Sequence, residues 1–191
     1  MKRTIAVFAA GLAGTLCVLG CSRGRGTAEG CPSVDTTTPP IDEHIMAFLS
    51  AARAMHHEAD IKEHAGDDDG AIEVLERLVS MRAPAATEAD EVLADAYARL
   101  AELRLRKNDV PAADREIRSG LDHAAVTTYF RGHLLELEGI VEETRAALLV
   151  DAGETKEAAE ARARAVSLLE EAIQVQGKVI ARALGDGGEN D

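Results

Sequence analysis

The stretch Gly66-Asp67-Asp68-Asp69-Gly70-Ala71-Ile72-Glu73-Val74-Leu75-Glu76-Arg77-Leu78-Val79 decides the fold, because its pattern returns twice further along the chain. Asn108 to Leu121 (NDVPAADREIRSGL) and Gly153 to Val166 (GETKEAAEARARAV) align with it at a turn and at the helix that follows. Each begins on Gly or Asn and a polar residue, the composition of a turn, and continues with apolar residues three and four apart, the spacing of one helical face.

Working outward from each turn gives the rest of the domain. Upstream of Gly66, Asp42 can cap a helix and Ile41 can staple against Met46; Ile45, Phe48, Leu49, Ala52, Met55 and Ala59 then keep helical spacing to about His64. Gly66 to Gly70 reads as the turn, and a second helix carries Ala71, Ile72, Leu75, Leu78 and Val79 before Pro84 stops it. Thr87 opens a helix with Val92, Leu93, Ala96, Tyr97, Leu100 and Leu103 inward. After Asn108-Asp109, Pro111 stands in the first turn of a helix with Ala113, Ile117, Leu121 and Ala124, where its missing amide is not needed. The third unit is longer, with Phe130, Leu134, Leu137, Val141, Thr144 and Leu148 in a heptad-like seam. Gly132 and Gly139 lie seven apart and opposite that seam; each costs about 1 kcal/mol of helix propensity, which a close approach by another helix would offset. From Thr155 to Leu184, Ala158, Ala161, Ala165, Leu168, Ala172, Val175 and Val179 form one stripe, flanked by Val166, Leu169, Ile173 and Ile180. A stripe that wide implies contacts on two sides. The expected fold is therefore all-α, with three antiparallel helical hairpins over residues 41–185, the last one long, and a frayed acidic tail at 186–191.

The repeated turn-and-helix unit resembles a tetratricopeptide repeat. In that family a small residue five positions after the turn residue lets paired helices touch; Ala71, Ala113 and Ala158 stand there, and Tyr97, Leu100 and Ala101 match the large, apolar and small residues of the first helix. The turns are 42 and 45 residues apart, longer than the 34-residue family period, and Glu142 and Arg145 stand where an aromatic and an apolar residue are expected. The resemblance implies an array of helical hairpins; a compact helical bundle is the alternative architecture.

The N-terminal part has a separate logic. Lys2 and Arg3 precede an apolar run from Ile5 to Leu19, too short for a membrane span and built like a secretory signal. Val18-Leu19-Gly20-Cys21 resembles the lipobox of bacterial lipoproteins. That resemblance implies cleavage of residues 1–20, a covalent lipid on Cys21, and attachment to a bacterial cell membrane or outer membrane with the domain facing periplasm or exterior. Residues 21–40 then form the lipidated cysteine and a Gly, Pro and Thr-rich linker that reaches about 25 Å as a coil.

Composition agrees with a helical domain and narrows its partners. Aromatics are 3% and Trp is absent, whereas Ala, Leu, Glu and Arg, all strong helix formers, dominate. The formal net charge of −13 disfavours nucleic acid or an anionic lipid surface as partner, so membrane contact is expected through the lipid anchor. Of three cysteines, Cys17 leaves with the signal and Cys21 takes the lipid, so Cys31 is expected as an unpaired linker thiol.

Two groups have metal-ligand character. Counting from Ala65, Asp67 and Asp69 occupy the third and fifth positions of a calcium loop, Gly70 the sixth and Glu76 the twelfth, with Ala65 where the first ligand belongs. His56, Asp60 and His64 stand four apart on one helix, a spacing that can share a transition metal, although HExxH and nearby cysteines are missing. A solvated polar face and a capped acidic turn are the plainer accounts of the same residues. No GxSxG, CxxC pair or phosphate-cradling glycine loop occurs, so no catalytic residue and no cofactor beyond the lipid is expected. The leading expectation is a non-catalytic interaction scaffold or assembly adaptor that binds an envelope protein. The alternative is a metal- or calcium-responsive envelope binding protein.

Overall fold

The computed structural model describes residues 42–125 and 127–185. The expectations for residues 1–40, including Cys21 and Cys31, the Ile41 to Met46 staple and the tail at 186–191 lie outside those residues. Among the described residues all regular structure is helical: α1 (Glu43–His64), α2 (Asp68–Val79), α3 (Thr87–Arg106), α4 (Val110–His123), α5 (Tyr129–Asp151) and α6 (Thr155–Gly185). The fold is all-α, as the periodicity implies.

The three related turns have one geometry. Gly66, Asn108 and Gly153 take φ of 77°, 59° and 83°, the left-handed region that ends a helix. In each, the next residue's amide donates back to a carbonyl five residues earlier: Asp67 to Lys62 and Asp109 to Arg104 at 2.9 Å, Glu154 to Leu149 at 2.8 Å. Asp67 and Asp109 then cap the following helix, accepting from the amides of Gly70 at 2.9 Å and Ala112 at 3.1 Å. Because Asp67 caps, α2 begins at Asp68 rather than beyond Gly70; Asp68, Asp69 and Gly70 are its first turn and not a loop.

The helices pack in serial order. By backbone proximity each lies against the next in sequence, α1 also against α3, and α3 also against α5. That contact order is compatible with a row of hairpins or with a helical bundle. Ala71, Ala113 and Ala158 are all buried, at 0%, 0% and 1% exposure. The central helix α3 is buried on two sides: Ala96, Leu100 and Leu103 join Leu75 and Leu78 of α2, while Ala94, Ala98 and Ala101 join Ile117 of α4 and Leu134 of α5. Alanine suits it because helices close in from both directions.

The last hairpin departs from expectation in three ways. Leu134, Leu137 and Val141 of the α5 seam are buried, but Leu148 is 57% exposed. α5 has 23 residues against 20 in α3 and 14 in α4, so the helices that would cover its last turns end sooner. The positions that break the repeat pattern form a polar tie instead: Glu142 is buried, and its carboxylate accepts from Arg145 and, at 2.7 Å, from Arg164 of α6. Third, the backbone of α6 lies close to that of α5 alone among the described helices, with Leu121 of α4 joining the apolar cluster of Ala172 and Val175. Ala158, Ala161, Ala165, Ala172 and Val175 are buried, whereas Val166, Ile173 and Ile180 are exposed, so that part of the stripe is not covered. The glycines of α5 do receive a close helix: a Cβ at Gly132 would lie 2.8 Å from Gln176 Cγ and one at Gly139 2.9 Å from Leu169 Cγ.

Candidate functional site

A groove runs between the first helices of the hairpins. Leu49, Ala52, Arg53 and His56 of α1 and Glu88, Glu91, Val92 and Asp95 of α3 each follow one helical stripe, at steps of three, one and three residues, so the two stripes face each other along the groove. Phe130 of α5 also lines it, and the volume is about 500 Å³. Leu49, Val92 and Phe130 are half-buried and Ala52 is buried, which gives an apolar lining with unused contact area. The carboxylates of Glu88, Glu91 and Asp95 stand against one fixed cation, Arg53, so the lining favours positive charge.

An ion network beneath His56 holds α1 against α3. Arg99 Nη1 lies 3.0 Å from His56 Nδ1, and Arg99 Nη2 donates to Asp60 at 2.7 Å and Glu63 at 2.6 Å. Arginine is donor-only, so His56 Nδ1 must accept and the ring proton sits on Nε2, which is 3.7 Å from Asp95 Oδ2. Burial lowers the His56 pKa first; the Arg99 charge adds to that, while Asp95 and Asp60 oppose it. Glu63 also accepts from Arg106 at 2.8 Å, and Arg106 pairs with Asp68 of α2 at 3.1 Å. This extends the network across the first hairpin. At the α3–α5 junction His133 Nε2 lies 3.3 Å from Glu102, whose hydrogen bond raises the His133 pKa against the opposing effect of burial.

The residues with metal-ligand character in the sequence are distributed among protein partners. His56 and Asp60 both engage Arg99, and His64 Nδ1 donates to the carbonyl of Asp60 at 2.6 Å. Asp67 is the α2 cap and pairs with Lys62; Asp69 pairs with Lys107 and Glu76 with Arg104. Among the described residues no three His, Cys, Asp or Glu side chains are grouped so as to hold a metal. A calcium loop needs its ligands to converge around one ion, and a segment that is helical from Asp68 points them outward instead. Sequence reasoning missed the groove itself. Its signal was present as the two matching stripes, but Val92 and Phe130 read as ordinary core positions, and Glu88, Glu91 and Asp95 drew no reading of their own.

No helix among the described residues is long and apolar enough to cross a membrane. Comparison with protein families, curated proteins and solved structures finds no match to this chain.

Proposed function

We propose that this protein is a lipid-anchored, non-catalytic scaffold of a bacterial cell envelope, which uses the α1–α3 groove to hold a segment of another envelope protein. The observation that carries the reading is the groove's combination of an apolar lining and three carboxylates. It suits a helix or extended peptide with apolar anchors interleaved with Lys or Arg. The lipobox-like Val18 to Cys21 supports the anchor. Each buried methylene of an acyl chain contributes about 0.8 kcal/mol and stable attachment needs more than one chain, so an acidic domain need supply no membrane contact of its own.

Two experiments test the two halves. Cells fed a labelled fatty acid should incorporate label into the chain and lose it with Cys21→Ala; equal labelling of both would end the anchor reading. Calorimetry of the full chain in mild detergent with a synthetic amphipathic helix, Leu on one face and Lys on the other, should show saturable binding. Doubling the charge change with Glu91→Lys and Asp95→Lys should abolish that heat, and binding indifferent to both substitutions would remove the groove from the reading.

A further inference from the structure

The α1–α3 groove contains one side chain whose charge can change near neutral pH. Among its described lining residues only His56 belongs to a type with an ordinary pKa between pH 5 and 8. Its ring stands between two opposite charges. On one side Nδ1 lies 3.0 Å from Nη1 of Arg99; on the other Nε2 lies 3.7 Å from Oδ2 of Asp95, a carboxylate of the groove.

Arg99 is held in place. Its Nη2 donates to Asp60 at 2.7 Å and to Glu63 at 2.6 Å, and its side chain is only 20% exposed. A guanidinium has no acceptor atom, so the contact at 3.0 Å needs a lone pair on Nδ1 and therefore a neutral ring. A proton on Nδ1 would set donor against donor and place two positive charges side by side. The charged ring is then favoured only by Asp95, the half-buried carboxylate that a groove ligand would also use. The remaining charges around it are few. Asp60 acts on His56 together with Asp95 and Arg99; Arg53 of α1 and Glu88 and Glu91 of α3 complete the charged lining. α5 contributes the uncharged Phe130, and none of the described lining residues comes from α2.

We propose that His56 gates the groove: a partner's Lys or Arg and the imidazolium of His56 compete for Asp95, so the groove holds a cationic segment at neutral pH and releases it in acid. This deepens the scaffold reading and rests on it. The sign follows from the geometry. A neutral ring leaves Glu88, Glu91 and Asp95 available to the partner, whereas a charged one adds a cation beside Arg53 and engages Asp95. Burial holds the His56 pKa below its ordinary value of about 6.5, with Asp95 opposing. The groove is therefore fully competent above that pH and loses affinity as pH falls through the folded value. Coupling is reciprocal. A bound segment that occupies Asp95 removes the charge that favours protonation, and so lowers the His56 pKa further.

The test titrates the full chain in mild detergent with the Leu and Lys amphipathic helix, by calorimetry at pH 7.5 and pH 5.0. Affinity should be about fivefold lower at pH 5.0. In His56→Gln, whose amide can accept from Arg99 and donate to Asp95 without titrating, the ratio of the two affinities should stay near one, whatever their level. His133, paired with Glu102 outside the groove lining, is common to both chains and cancels in the comparison. NMR of the unsubstituted chain, labelled at histidine, supplies a second readout: the titration midpoint of the His56 ring should fall when the peptide is added. Affinity that does not fall in acid, an equal fall in both chains, or a midpoint that stays or rises with peptide would each overturn the gate and leave the groove reading standing. Absence of binding at either pH would overturn both.

Discussion

Gly66, Asn108 and Gly153 hold a left-handed backbone at equivalent points, and only glycine does so without strain. Among the described residues no atom lies within 4 Å of a Cβ built at Gly66 or Gly153, so an alanine there is disfavoured by backbone conformation. Gly66→Ala and Gly153→Ala should each lower stability by about 1 kcal/mol in urea unfolding, and Asn108→Gly should lower it not at all. His56 and His133 give opposite responses to acid. The folded His56 has a depressed pKa, so as pH falls below about 6.5 the unfolded chain gains a proton that the folded chain resists, and stability falls until His56 itself protonates. His133 has a raised pKa; its contribution is present below about 6.5 and is lost as pH rises through the folded value. Urea midpoints measured from pH 8 to pH 5 should therefore fall less steeply toward acid in His56→Gln and more steeply in His133→Gln. The turn residues were legible in the sequence because Gly and Asn have few other uses between two helical patterns. The histidine partners were not, since Arg99 is 43 residues from His56 and no local rule selects it among the chain's arginines.

At the level of helices, α5 is the element with most at stake, because it packs on one side against α3 and α4 and on another against α6. Its seam predicted the first face through Leu134, Leu137 and Val141; Gly132 and Gly139 marked the second. The seam failed at Leu148 because periodicity records which residues share a face but not where the covering helix ends. Glu142 ties the second face. It is buried, while the side chains of Arg145 and Arg164 are 37% and 52% exposed and can return to water. Glu142→Ala should therefore cost about 1–2 kcal/mol, less than the 3–5 that follows when a fully buried charge loses its partner. Gly139→Leu is the more damaging change, since its side chain would enter the space of Leu169 against α6. Hydrogen exchange should show α6 amides losing protection in that variant while α1 and α2, whose backbones do not approach that of α6, keep theirs.

Across the whole molecule, the serial packing leaves separate surfaces on different hairpins. The first and second, with Phe130 of the third, line the groove, and the third carries the exposed α6 face. Secondary structure and the three related turns were readable because turn chemistry and helical spacing are local. The groove was not, because it depends on α1 and α3 lying side by side, which places Leu49 and Val92 in one cavity lining although they are far apart in the chain. Electrostatic attraction to the groove carboxylates should make partner binding weaken as salt rises, and the weakening should be smaller once Glu91 and Asp95 are replaced. The most direct test of the scaffold reading is a photo-reactive side chain at Val92 in the living cell. One dominant envelope-protein adduct is expected, joined through a basic, apolar-anchored segment, lost with Glu91→Lys and Asp95→Lys and reduced with Cys21→Ala. No adduct above that formed by the same probe at the exposed Arg118 of α4, or an adduct unchanged by the charge reversals, would contradict it.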